Sequence, residues 1–190
     1  MEVKQSKENR KTRYTKMVLR ESLMELMKTK PISAIAIKEI CALADISRST
    51  FYTHYKDQFD LLKKTEEETL AFINSIHTKY SFYKKGTHES LQMLEEVLKY
   101  IADNSKSIYV LFSENGDINF QKEIFDVMYQ KNVMKPLTDK LPDEQTRQYY
   151  YLFVVTGSLG IIYHWIKNGM DKSISELAQI IVNLTSQIAK

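Results

Sequence analysis

The chain is poor in residues that bend, cross-link or interrupt a polypeptide. It has one Cys, three Pro and five Gly in 190 residues. Average usage would give roughly 23 Gly and Pro together. So few turn residues argue against a sandwich or barrel, which needs a turn signal every 8–12 positions or so. Long helices joined by short loops remain. A single Cys excludes an intrachain disulfide framework and any multi-cysteine zinc or iron–sulfur site. The opening MEVKQSKENRKTR has no apolar stretch behind its basic residues and does not read as a secretory signal, so a reducing cytoplasm is the expected compartment. G-x-S-x-G, H-E-x-x-H, the P-loop and G-x-G-x-x-G are all missing, so an enzyme is not expected. No cofactor is expected. Nor is a metal, because His77, His88 and His164 lack acidic or Cys neighbours at ligand spacing.

Apolar material is not scarce: 43% of the residues are hydrophobic, enough for a packed core. The charge is small in sum but uneven. Residues 1–56 carry 12 Lys+Arg against 6 Asp+Glu, and residues 57–190 carry 15 against 18. A basic front on a mildly acidic body suits a polyanionic partner.

The spacing predicts a first helix from Lys11, with Met17, Val18, Leu19, Ser22, Leu23, Leu26 and Met27 as its apolar stripe, ending before Pro31. A short second helix covers 37–44, with Ile37, Ile40, Cys41 and Ala44 on one face. After the tight connection Asp45-Ile46-Ser47, Ser47 caps a third helix over 48–55. Asp57 caps a fourth, carrying Phe59, Leu62, Thr69, Ile73 and Ile76. In RSTFYTHY only Phe51 and Tyr55 look like core anchors. Arg48, Ser49, Thr50, Tyr52, Thr53 and His54 are left to face outward without a single acid. Donors of that kind suit phosphate oxygens and base edges. Helix, three-residue turn, helix is the arrangement that places a second helix in a major groove.

Residues 35–62, IAIKEICALADISRSTFYTHYKDQFDLL, resemble the DNA-binding signature of the tetracycline-repressor (TetR) family. Ile37, Ile40, Cys41, Ala44, Ile46, Ser47, Phe51, Tyr52, His54, Tyr55 and Leu62 match its pattern. The resemblance implies an all-α homodimer of about nine helices per chain. It places a helix-turn-helix domain at 10–56 and a dimerisation and effector domain at 57–190. Carried over by position, Arg48, Ser49 and Tyr52 touch bases or nearby backbone, and Thr50, Thr53 and His54 mostly touch phosphate. Lys56 adds a phosphate contact, and Ser47 closes the set. The sequence departs from the pattern twice. Asp45 stands where the turn usually has Gly, and Gln58 stands where a Lys opens the fourth helix. The partners implied are double-stranded DNA, a second copy of the chain, and a small apolar or aromatic effector. An adaptor that keeps the fold but acts through a protein partner is the alternative.

In the body, stripes at 91–101, 118–128, 143–167 and 173–188 predict further helices. Residues 149–166, YYYLFVVTGSLGIIYHWI, hold no Asp, Glu, Lys or Arg over 18 positions. Four Tyr, a His and the lack of a second span favour burial in protein over a membrane. Gly157 and Gly160 share a face and admit a close helix. With Ile161, Leu177, Ile181 and Leu184 they are the expected dimer interface. Candidate effector residues are Tyr100, Tyr109, Phe112, Phe125, Met128, Tyr129, Tyr151 and Trp165, with Met134 and Phe153 beside them; at helical spacing such side chains also simply fill cores. ENGD at 114–117 and W-x-x-N-G at 165–169 are similar to the branch that includes regulators of dihydroxyacetone-kinase operons.

Overall fold

A computed structural model describes residues 9–80, 87–130 and 141–188. All regular structure among them is helical. Among the described residues nine α-helices follow in order: α1 Arg10–Met27, α2 Ile37–Ala44, α3 Arg48–Tyr52, α4 Gln58–Lys79, α5 Thr87–Asp103, α6 Ser105–Leu111, α7 Ile118–Gln130, α8 Glu144–Lys167 and α9 Ile174–Ile188. The all-α expectation holds. Met134 lies outside the described residues, as do the side chains of His77 and His88.

The helix ends follow from side chains that satisfy orphan backbone groups. Asp57 Oδ1 accepts the Asp60 N–H at 2.8 Å to open α4, and Asp143 does the same for Thr146 at 2.8 Å to open α8. At the far end of α8, Gly169 takes φ 73°. Its N–H bonds to Ile166 O, and Met170 N–H reaches back to Trp165 O at 2.8 Å. This left-handed closure is the one Gly adopts most readily. Gly116 is demanded for a different reason: a Cβ there would sit 2.2 Å from the Leu111 carbonyl oxygen.

Two apolar clusters hold the helices. The first joins Leu19, Leu23 and Met27 of α1, Ile40 of α2, Phe51 of α3 and Leu61 of α4 to Leu111 of α6 and Ile124 of α7. The second joins Leu98 and Ile101 of α5 to Trp165 of α8 and Leu177 and Ile181 of α9. Met17 and Phe59 were expected inside but are exposed. Each falls two residues from a buried Leu, Leu19 or Leu61, and so turns about 200° away.

The expected dimer face is divided within the single chain. Leu177 and Ile181 are only 3% and 4% exposed within the single chain, packed in the cluster with Leu98 and Ile101. They have almost no surface left to bury on a partner. Leu184 is exposed, Ile161 is half-buried, and Gly157 and Gly160 face open space with nothing within 4 Å of an added Cβ. Tyr149, Leu152 and Phe153 continue that outward stripe of α8 at spacings of three and four. No helix among the described residues is long and apolar enough to cross a membrane.

Glu66 of α4 is the odd member of the interior. It is 9% exposed, and its Oε1 has no hydrogen-bond partner. Burial, with Asp117, Glu123 and Glu67 nearby, pushes its carboxyl up to about 7; Lys63 opposes this weakly. A carboxyl whose folded pKa is raised holds its proton more tightly in the fold. Its stability deficit therefore grows as pH rises from about 4.5 to about 7 and is complete above that. Glu66→Gln is expected to stabilise the protein by about 1–3 kcal/mol at pH 8 and by little at pH 4.5. Thermal unfolding at the two pH values checks this, and an equal gain at both would contradict it.

Candidate nucleic-acid interface

Helix α3, the candidate DNA-reading helix, is built by its neighbours. Asp45 closes α2 in the left-handed region at φ 53°, ψ 42°. Ile46 N–H then returns to Cys41 O at 3.0 Å, the same closure Gly169 makes at the end of α8. Asp thus does the work of the Gly usual at this turn, since short polar side chains tolerate that geometry. Ser47 begins α3, its Oγ accepting Thr50 N–H at 3.1 Å and lying 2.9 Å from the hydroxyls of Ser49 and Thr50. Upstream, Glu39 accepts the Ala36 N–H at 2.9 Å and the Lys30 ammonium at 2.6 Å, and these contacts hold its carboxyl below the usual range.

Helix α3 ends at Tyr52, three residues earlier than expected. Thr53 Oγ1 donates to Thr50 O at 2.6 Å, and a Thr hydroxyl bonding the preceding turn competes with helix continuation. Phe51 is fully buried and Tyr55 nearly so, so both anchors stand as read. Their rings lie 5.7 Å apart. The remaining side chains turn outward. Tyr52 is 57% exposed; Ser47, Arg48, Ser49, Thr53 and Lys56 are exposed, and Thr50 and His54 are half-buried. Several basic side chains nearby are engaged: Arg20 with Glu68, Lys30 with Glu39, Lys64 with Asp60. Arg48 and Lys56 have no ion pair among the described residues, which leaves their charge available to a polyanion.

The aromatic candidates of the body pack largely in pairs among the described residues. Tyr100 stacks on Phe72 at 3.7 Å, Tyr109 on Tyr163 at 4.8 Å, and Phe112 meets Phe120 edge-on. Tyr129 lies edge-on to Tyr151, whose hydroxyl donates to Phe125 O at 2.7 Å. Met128 packs at the edge of the first cluster. Trp165 Nε1 donates to Lys172 O at 2.9 Å. A recess of about 330 Å³ lies elsewhere, beneath His54 and Lys64 and between α1 and α4. Among the described residues no group of three or more His, Cys, Asp or Glu could hold a metal ion.

Sequence reading passed over Asp60 and Lys64, which tie the end of α3 to α4. Their spacing of four was the available signal.

Residues 88–187, just over half the chain, match the TetR C-terminal family model described as "Transcriptional regulator C-terminal region". The chain belongs to the TetR family of transcriptional regulators. Over 172 residues it is 23% identical to the HTH-type transcriptional regulator YxbF of Bacillus subtilis (strain 168), covering 89% of this chain and 44% of YxbF. Over 101 residues it is 30% identical to the transposon Tn10 TetC protein of Escherichia coli, covering 53% of this chain and 50% of TetC. The chain spans half the length, or less, of these curated relatives. Its fold is similar to that of the dihydroxyacetone kinase operon activator DhaS, with a TM-score of 0.55 and 21% identity over 92% of this chain and 96% of that one. As a TetR-family member its class is transcription regulation, not catalysis.

Proposed function

We propose that this TetR-family chain is a sequence-specific DNA-binding repressor that grips a palindromic operator as a homodimer and lets go when a small apolar or aromatic effector binds. The observation that carries this is the outer surface of α3. Arg48, Ser49, Tyr52 and Thr53 stand exposed and acid-free over a fully buried Phe51. Two such helices, about 34–36 Å apart, would enter successive major grooves. On this reading residues 10–56 read the DNA, while residues 57–190 pair the subunits and hold the effector among the aromatic side chains named above. An effector would act by favouring a dimer with a different separation of the reading heads, weakening operator binding by its differential affinity for the two states. The 114–117 and 165–169 motifs, with DhaS as a fold neighbour, support a branch in which the same heads can instead assist transcription.

The test is binding to duplexes drawn from the DNA flanking the gene, followed by fluorescence anisotropy across a salt series. Each phosphate contact contributes a slope of about −0.9 in log K against log salt. A steep slope is expected. A flat one favours the alternative, an adaptor working through a protein partner.

Pairing has its own test. The exposed stripe of α8, Tyr149, Leu152, Phe153, Gly157 and Gly160, would meet its copy with Leu184 of α9 at its flank. A Cβ added at Gly160 meets nothing within 4 Å, so the cost of Gly160→Leu is expected to fall mainly on the partner. Dimerisation should weaken by about 1–3 kcal/mol for each copy of the overpacked side chain. Sedimentation velocity reads this directly, and an unchanged dimer would remove the Gly157–Gly160 face from the interface.

A further inference from the structure

We infer that Asp60 and Lys64 are positioning residues for DNA reading, clamping the C-terminal end of α3 and the backbone of Lys56 into one rigid unit. The inference rests on the DNA-reading function proposed above and names side chains outside the contact surface itself.

A helix of five residues has few internal bonds: Thr53 N–H still reaches Ser49 O and Tyr55 N–H reaches Phe51 O, and beyond them the chain leaves the helix. Just past α3, Lys64 Nζ donates to the His54 carbonyl at 3.0 Å. The same ammonium donates to Asp60 Oδ2 at 2.9 Å and sits 5.0 Å over the Tyr55 ring. Asp60 Oδ2 also accepts the Lys56 N–H at 2.9 Å. One carboxylate oxygen therefore joins the Lys56 backbone to the ammonium that grips His54. Asp60 is steadied in turn, because its own N–H is held by Asp57 Oδ1 at 2.8 Å. These bonds keep the Asp60 carboxyl below its ordinary range, so it stays ionised at neutral pH.

Packing of Phe51 and Tyr55 in the core anchors one side of this segment, and the clamp holds the other. A recess of about 330 Å³ adjoins the clamp, lined by Lys16, Glu67 and Glu68 together with His54, Tyr55 and Lys64. Lys64 is also spent on His54, Asp60 and the Tyr55 face, so it acts through His54 and Lys56 and not as a phosphate ligand.

The experiment compares the wild-type chain with Lys64→Met, Lys64→Arg and Arg48→Ala. Each is titrated with its operator duplex and with a random duplex of equal length, across a salt series. Lys64→Met keeps the aliphatic stem on a helix, and an exposed ion pair contributes little to stability, so the melting temperature should barely move. Operator affinity is expected to fall about tenfold, roughly threefold from each half-site compounded, with less than about twofold loss on random DNA. The salt slope should stay unchanged, and Lys64→Arg should restore most of the affinity. Hydrogen exchange without DNA gives an independent reading: the Lys56 amide should exchange several-fold faster in Lys64→Met. Operator binding at wild-type strength in Lys64→Met, while Arg48→Ala loses it, overturns the clamp and leaves the DNA reading intact. A slope flattened by about 0.9 makes Lys64 a phosphate ligand and overturns it too. If Arg48→Ala also binds as wild type, the DNA reading itself fails. An unchanged Lys56 amide then removes the clamp as well.

Discussion

Arg48→Ala and Tyr52→Ala are each expected to weaken operator binding by about 1–3 kcal/mol per half-site, and a dimer carries every substitution twice. The loss should depend on sequence. Arg48 opens α3, the end of a reading helix that reaches base edges, and its guanidinium has no ion pair among the described residues. Tyr52 lies one turn further on, 57% exposed, with its ring edge-on to the buried Phe51 at 5.7 Å. Phe51 thus fixes the direction in which Tyr52 projects. Titration against operator and random duplexes separates the two roles. A loss confined to the operator marks base reading. An equal loss on both would assign these residues to the backbone alone, and the specificity would have to come from elsewhere on the surface.

Phe51→Ala carries the largest expected cost to the fold, about 3–5 kcal/mol. The ring is wholly buried in the cluster that joins α1, α2 and α4 to α6 and α7. Its removal empties the space beneath a helix of only five residues. Since the same cluster reaches Leu111 and Ile124, the loss should appear in the unfolding of the whole chain and not of the first helices alone. Chemical denaturation followed by far-UV circular dichroism measures it. A loss below about 1 kcal/mol would mean that the ring is not the anchor of α3.

The local features that were legible in the sequence are those set by one side chain against its own backbone. Ser47 and Asp57 announce helix starts because their oxygens can reach an N–H three residues on, and both do so. Asp45 announces a left-handed turn for a similar reason. The acid-free run around Arg48 was visible because charge and donor content need no tertiary knowledge.

What stayed hidden depends on neighbours distant in the chain. Helix α9 has apolar residues on more than one side, and periodicity cannot say which side meets its own α5 and which meets a partner. Leu177 and Ile181 pack within the chain, and Leu184 is left exposed. Helix α8 is apolar nearly all round, so its outward stripe at Tyr149 and Phe153 emerged only when Tyr150, Val154 and Trp165 were seen to be buried. Glu66 reads as a solvated acid until α4 is packed, and nothing in the sequence marks its carboxyl as unpartnered. The early end of α3 came from a hydroxyl competing for one carbonyl, a balance too fine for a pattern of apolar positions.

The most direct measurement of DNA reading is selection from a pool of randomised duplexes at physiological salt, followed by sequencing of the bound fraction. The expected result is an inverted repeat whose half-site centres lie about one helical turn apart, or a whole multiple of it, as two copies of α3 would require. In Arg48→Ala the enrichment should fade at specific positions of that repeat. A bound fraction as random as the starting pool, with binding insensitive to salt, would contradict the proposal that the surface beginning at Arg48 reads DNA.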